Sequence, residues 1–357
     1  MNRPRPDRRD VPLAPLTTLR LGGPAARLVE ATDEAGIVAA VRAADAEGTG
    51  VLLLGGGSNL VLADEGWAGL VVLLRSRGVS ARRDGDRVLL DVAAGEPWDE
   101  LVARTVAEGW SGLECLAGIP GLAGATPVQN VGAYGQEVAQ TVHSVRVLDR
   151  QRGEVVRIEA ARCGFAYRQS AFKGSVFRGT ARYVVLSVTF ALRPGCQSTA
   201  RYAELATALG VPVGGTASLA ATRDAVLALR RGKGMVLDSD DHDTWSAGSF
   251  FTNPVLSAAE LATFAGRLPP GSGYPSWPAG DDRTKLSAAW LIQHAGFDRG
   301  YRRGTVGLST KHTLALTNRG GARTSELLGL AREIRDGVRT RYGVTLRPEP
   351  LLVGATL

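Results

Sequence analysis

Four apolar residues, VLLL at 51–54, run without a spacer into Gly55-Gly56-Gly57-Ser58-Asn59. A short, continuously apolar run suits a buried strand, and three glycines directly after it oblige the chain to turn with its backbone bare. Upstream, 32–48 reads as a helix: Thr32 caps it, Asp33 and Glu34 suit its positive first turn, Ile37, Val41 and Ala44 form an apolar stripe, and Gly48 stops it. With a further apolar run at 70–74, the order is an α/β pattern.

At 357 residues and 44% hydrophobic content the chain outgrows one ordinary core, so two or three packed units are expected. A strand is predicted over 87–93, then a helix opened by Glu96-Pro97-Trp98 with Leu101, Val102, Thr105 and Val106 facing inward, closed by Gly109. From 112 to 135 glycine, proline and alanine dominate without a helical or strand period, as in a binding loop. Strand-like runs return at 142–148, 155–158 and 183–192 before Arg193-Pro194-Gly195 breaks the chain, the best boundary in the sequence. Beyond it, helices are predicted from near Ser218, Ser257 (with Glu260 completing a capping box) and Thr324, alternating with short strands at 313–317 and 344–346. The last helix has Leu327, Ala331, Ile334 and Val338 as its buried stripe.

Composition narrows the function classes. No apolar run approaches the roughly 18 residues of a membrane helix. The opening MNRPRPDRRDVPLAPL has arginines with no apolar stretch behind them, so no signal peptide or membrane insertion is expected and the chain reads as cytoplasmic. Cys115, Cys163 and Cys196 are odd in number and widely spaced, which argues against disulfides and a thiolate metal site and leaves them as small apolar residues. His143, His242, His294 and His312 have no ligand spacing, and no metal is expected. The net charge of +7 does not gather into a basic stripe with interleaved aromatics, so no nucleic-acid partner is expected and a polyanionic small molecule fits the charge equally well. Only Lys173, Lys233, Lys285 and Lys311 are lysines among 42 basic residues, so much of the charge is a bias toward arginine.

The glycines of LGGGSN can bring backbone N–H groups against a pyrophosphate. The loop lacks the G-x-G-x-x-G spacing of a dinucleotide fingerprint, and a tight structural turn accounts for it equally well on its own. The second glycine-rich piece, GIPGLAGATPVQNVGAYGQE at 118–137, combines flexible backbone with Gln129-Asn130 and Tyr134, groups able to hold the edge of a flavin ring.

The order LGGGSN, GIPGLAGATPVQNVGAYG, FAYRQSAFK, GSFFTNP and RPEP, spanning about 16–349, resembles the UDP-N-acetylenolpyruvoylglucosamine reductase family (UDP-N-acetylmuramate dehydrogenases), in the subclass with a tyrosine loop in its substrate domain. The resemblance implies an α+β chain: a two-subdomain FAD-binding fold of the vanillyl-alcohol-oxidase type over 1–78 and 79–197, then an α+β substrate-binding domain over 198–357. It implies non-covalent FAD reduced by NADPH, and reduction of UDP-N-acetylglucosamine enolpyruvate to UDP-N-acetylmuramate in peptidoglycan precursor synthesis. The partners are then a sugar nucleotide and NADPH, and a monomer is expected. Cofactor contacts are carried onto Gly55, Gly56, Gly57, Ser58, Asn59, Gly118, Ile119, Pro120, Gly124, Asn130, Gly132, Ala133 and Tyr134.

For catalysis the resemblance implies Arg168, Ser249 and Glu349. Hydride addition to the enolpyruvyl double bond leaves negative charge on the carboxylate-bearing fragment, which needs stabilisation and then a proton. Arg168 offers a bidentate fork for that carboxylate, Ser249 a proton, and Glu349, fixed between Pro348 and Pro350, polarises the intermediate together with the arginine. Each has a structural alternative: an ion pair for Arg168, a strand end for Ser249, a surface turn for Glu349. Substrate contacts fall on Tyr167, Tyr202, Arg230, Lys233, Asn253, Lys285 and His294, the last standing where the family pattern has glutamine; 234–244 matches too poorly to place residues. The rivals are an FAD-dependent sugar or hydroxy-acid oxidase of the same fold, which would share LGGGSN but not GSFFTNP with RPEP, and a non-catalytic nucleotide or nucleic-acid binder. No histidine for a covalent flavin bond lies in 55–66 or 118–135.

Overall fold

A computed structural model describes residues 7–357, so the part of the leader reading that falls on residues 1–6 lies outside the described residues. The chain divides into two compact units. Of the described residues, the first holds 7–11, Ala25–Gly57 and Trp67–Val236; the second holds Pro12–Pro24, Ser58–Gly66 and Leu237–Leu357.

In the first unit β1 (Arg8–Pro12), β2 (Pro24–Ala31), β3 (Val51–Leu54) and β5 (Trp67–Leu74) form a sheet in the order β1-β2-β5-β3; β4 (Leu60–Leu62) belongs to the second unit. β5 runs parallel to both β2 and β3, which requires crossovers, and α1 (Glu34–Ala46) supplies the one between β2 and β3. Its fully buried residues are Ile37, Val41 and Ala44, the expected stripe. Its cap is Asp33, whose carboxylate accepts from the N–H of Gly36, and not Thr32.

A second, antiparallel sheet follows the order 154–159, 142–149, 183–194, then β7 (Arg87–Ala93) and β6 (Val79–Asp84). Its inner face packs on α2 (Trp98–Ala107), for which Pro97 is the N-cap residue and not part of the first turn, in a core around Trp98, Leu101, Phe190 and Val226. α3 (Ala171–Gly174) is one turn capped by Ser170, while α4 (Ala203–Leu209) and α5 (Leu219–Gly232) complete the unit.

The boundary in the structure therefore falls after Val236, not at 197/198. Residues 198–236 are held to the first unit by long-range polar contacts: the Ser198 hydroxyl donates to buried Glu114 at 2.6 Å, and Arg223 on α5 pairs with Asp99 on α2 at 3.2 Å. The first sheet ends at Leu74 and the second begins at Val79, and Leu148, Val184 and Leu186 of the second share a core with Ile37, Val41 and Val72 of the first, so the two sheets belong to one compact unit.

The second unit is built on α8 (Thr324–Tyr342), whose Leu327, Ala331, Ile334 and Val338 are fully buried, with α6 (Ala258–Ala265) and α7 (Ala288–His294) beside it. The Ser257–Glu260 capping box is present in full. β4 pairs parallel with 351–353, which draws the 58–66 segment into this unit. Two expected strands differ: 313–317 is observed as 316–318, and 344–346 forms no strand. Asp243, in the stretch that resisted assignment, is a structural brace: burial pushes its carboxyl up, but hydrogen bonds from Thr310 and Arg319 outweigh that and hold it below the ordinary range. Cys115 and Cys163 are buried thiols pushed up by burial, to about 12 and about 11, whereas Cys196 is exposed and so not part of a core. Among the described residues no helix is long and apolar enough to cross a membrane, and no cluster of three histidine, cysteine or acidic side chains could hold a metal ion.

Candidate active site

In the first unit the glycine loop leaves the end of β3, and a Cβ on Gly56 would stand 2.7 Å from the Cα of Gly121. Gly57 is left-handed at φ +61°. The two glycine-rich segments thus lie backbone against backbone, an approach that only side-chain-free residues can make. Ser58 and Asn59 continue the loop in the second unit, where the Asn59 carbonyl accepts from the N–H of Leu351 at 3.0 Å.

Several expected cofactor residues do internal work. The N–H of Gly118 donates to Asp99 at 2.6 Å, and that of Gly124 to the Ala94 carbonyl at 3.0 Å. Gly118 is also pressed under α5, where a Cβ would meet Leu227 at 2.8 Å. Asn130 is 1% exposed; its amide donates to Glu137 Oε2 (2.8 Å) and the Ala166 carbonyl (3.1 Å) and accepts from the N–H of Ala139 (3.1 Å). Its side chain is thereby fully committed to protein partners. Ile119, Pro120, Gly132, Ala133 and Tyr134 lie along the same segment, Gly132-Ala133 pairing with Gln136-Glu137 in a small hairpin.

Arg168 sits with Tyr167 at the tip of a tight turn closed by a reciprocal pair of backbone bonds between Ala166 and Gln169. Its φ of +54° is a conformation that turns normally give to glycine or asparagine. The guanidinium donates to the carbonyls of Gly132 (2.9 Å) and Asn130 (3.4 Å) and lies 5.5 Å over the Tyr167 ring.

Tyr202, Arg230 and Lys233 gather on the first unit, around Tyr134 and away from the unit that was expected to carry them. Tyr134 and Tyr202 meet edge to face at 5.8 Å, and the Lys233 ammonium is 5.5 Å from the Tyr134 ring and 2.5 Å from Glu204. Burial pulls the Arg230 guanidinium down to about 10, and its Nε is sealed from solvent without a hydrogen-bond partner among the described residues. Burial likewise raises the Tyr134 hydroxyl to about 12, against the opposing pull of Arg230. A sealed donor on a buried cation is costly. Glu204 was not foreseen, since nothing in its local sequence marks a lysine partner 29 residues away.

In the second unit the segments of Ser249 and Glu349 are joined directly. The N–H of Glu349 donates to the Phe250 carbonyl at 2.8 Å, Phe251 bridges Pro348, and the N–H of Thr252 reaches the Arg347 carbonyl at 3.0 Å. Gly248 at φ +72° turns the chain into this pairing, and Phe250 and Phe251, both 1% exposed, anchor it in the core. Ser249 and Glu349 are both half-buried. Asn253 accepts from the first N–H of α7 at 2.9 Å. Lys285 lies 5.9 Å from the Trp277 ring, and His294 stacks on Trp290 at 4.0 Å with Nδ1 2.9 Å from the Trp290 carbonyl.

The fold is that of a flavin-dependent oxidoreductase of the vanillyl-alcohol-oxidase type, α+β throughout. The family model described as FAD binding domain matches residues 25–159, and that of the UDP-N-acetylenolpyruvoylglucosamine reductase C-terminal domain matches 240–353. Over 354 residues the chain is 56% identical to UDP-N-acetylenolpyruvoylglucosamine reductase of Streptomyces avermitilis, covering 98% of this chain and 95% of that one. It is equally 56% identical to the reductase of Thermobifida fusca over 357 residues, 98% of each. The chain belongs to the UDP-N-acetylenolpyruvoylglucosamine reductase family. A crystal structure of UDP-N-acetylenolpyruvylglucosamine reductase from Thermus caldophilus, 24% identical, has the same fold with a TM-score of 0.65 over 98% of this chain and 99% of that one. The cofactor of the family is FAD, and the bare glycine backbone of Gly55–Gly57 against Gly121 is the kind of surface a flavin dinucleotide requires.

Gly56→Ala is expected to cost ~1–3 kcal/mol of overpacking, because the new methyl must push Gly121 backbone aside. FAD affinity should fall about ten- to a hundred-fold, read as a lower flavin-to-protein absorbance ratio; full occupancy with unchanged affinity would count against the cradle.

Proposed function

We propose that the chain reduces the enolpyruvyl double bond of UDP-N-acetylglucosamine enolpyruvate, at the expense of NADPH, to give UDP-N-acetylmuramate. The observation that carries the reading is the main-chain pairing of the Ser249 and Glu349 segments, two residues 100 positions apart that the motifs named independently. FAD, when bound, supplies the hydride that NADPH provides. The chain's own residues do the rest. Gly55, Gly56, Gly57, Ser58, Asn59 and the 119–134 segment hold the cofactor by main chain.

Arg168 binds the substrate carboxylate through its planar fork and balances the negative charge that hydride addition leaves there. Ser249 gives its hydroxyl proton to the carbon next to that carboxylate. A serine is a weak acid, so it acts only where neighbouring groups stabilise the alkoxide or resupply the proton. Glu349 polarises the intermediate together with the arginine. Arg230 and Lys233 take the diphosphate; Tyr202 covers the nucleotide, while Tyr167, Asn253, Lys285 and His294 serve the remaining sugar-nucleotide contacts. The reading takes the chain as a cytoplasmic monomer.

Incubating the purified protein with NADPH and the enolpyruvyl sugar nucleotide should give a product heavier by two hydrogens, with one NADPH consumed per product. Oxygen consumption and peroxide release, with the sugar nucleotide unchanged, would assign the chain to the oxidases of this fold instead.

A further inference from the structure

We propose that Asn130 is a positioning residue for Arg168, gripping both ends of the turn that carries it; this rests on the reading of Arg168 given above. The side-chain amide of Asn130 donates to the Ala166 carbonyl at 3.1 Å, at the base of the turn, while the main-chain carbonyl of Asn130, whose left-handed backbone that side chain holds, accepts from Arg168 Nη1 at 3.4 Å, at the tip. The grip is itself fixed from the other side, where the second amide hydrogen goes to Glu137 Oε2 at 2.8 Å and the amide oxygen takes the N–H of Ala139 at 3.1 Å.

Two backbone conformations show what this arrangement overcomes. Asn130 at φ +47° and Arg168 at φ +54° are both left-handed, and an arginine has no conformational preference for that region. A strained residue persists where its surroundings over-determine it. Here the surroundings are the Ala166–Gln169 backbone pair that closes the turn and, beneath it, one buried amide, 1% exposed, whose two donor hydrogens and oxygen all have protein partners. Gly132, whose carbonyl takes the other guanidinium bond at 2.9 Å, has no room for a side chain: a Cβ would stand 2.7 Å from Glu137 and 3.3 Å from Arg168. Asn130 therefore sets the height and direction of the guanidinium without meeting the substrate. A displacement on the order of 1 Å at a charge-stabilising group costs about a hundred-fold in rate.

The test is a double-mutant cycle on the FAD-loaded enzyme. Asn130→Gly keeps the left-handed backbone and removes the amide; Asn130→Asp also tolerates that conformation, keeps the acceptor for Ala139 and loses both donors. Both are expected to slow turnover of the enolpyruvyl substrate about ten- to a hundred-fold. Combined with Arg168→Ala, either should add less than about threefold, because a residue acting through the arginine has nothing left to position. Effects that multiply, or wild-type turnover in whichever Asn130 variant folds, would overturn the positioning role while leaving Arg168 in place. Normal turnover of Arg168→Ala alone would instead overturn the assignment of the arginine, and the positioning role with it.

Discussion

Ser249→Ala should lower turnover of the enolpyruvyl sugar nucleotide about 10⁴-fold, the upper range for loss of a positioned proton donor, while NADPH still reduces the bound FAD at close to the normal rate. The asymmetry follows from where the proton is needed. Flavin reduction by NADPH requires no proton from this hydroxyl, whereas the carbon beside the carboxylate must gain one for product to form. The substitution removes one oxygen atom and leaves the supports of the segment untouched, since Gly248, Phe250 and the Phe251–Pro348 bridge fix its backbone independently of the hydroxyl. Stopped-flow absorbance of the two half-reactions separates the steps. Equal loss in both would remove Ser249 from the proton-donor role and make its contribution structural.

Glu349→Gln should bind the sugar nucleotide with a near-normal KM and turn it over about 10³-fold more slowly. The glutamine is isosteric, keeps the N–H that bonds the Phe250 carbonyl, and keeps its place between Pro348 and Pro350, so position is preserved while the charge is lost and one acceptor oxygen becomes a donor. An effect confined to kcat is the mark of an interaction made in the transition state and not in the ground state. Turnover close to wild type would strike Glu349 from the catalytic set, and a raised KM with unchanged kcat would make it a binding residue.

The parts of this arrangement that could be read in the sequence are those whose chemistry is local. The apolar tetrad at 51–54 followed by glycines fixed a strand and a bare turn within a nine-residue window, and the Ser257–Glu260 capping box was complete within four residues. Ser249 and Glu349 stood out because they lie between strong local constraints, a Gly-Ser-Phe-Phe step and two prolines, whereas Arg168 was named by its matched motif and its tight turn is seen only in the structure. What could not be read depends on contacts between distant positions. The pairing of 351–353 with β4, about 290 residues earlier, pulls 58–66 into the C-terminal unit, and no local pattern encodes that. Residues 198–236 follow a strong chain-breaking signal at Arg193-Pro194-Gly195, yet Ser198–Glu114 and Arg223–Asp99 attach them to the unit before the break. Local chemistry marked a turn there; long-range bonds decided its side.

The same contrast explains Asn130. Its place in a glycine-rich binding segment and its polar side chain suggested a ligand contact, and only the distances to Glu137, Ala166 and Ala139 show that the amide is spent within the protein. Arg230 was named from the family pattern alone, and only the structure shows that its guanidinium is buried beside Tyr134 on the first unit.

The most direct measurement is the absorption spectrum of the purified, FAD-loaded protein through one catalytic cycle without oxygen. The flavin bands should bleach on adding NADPH and return on adding the enolpyruvyl sugar nucleotide, one equivalent for one. A colourless protein that takes up no FAD, or a bleached flavin restored by oxygen but not by the sugar nucleotide, would contradict the account.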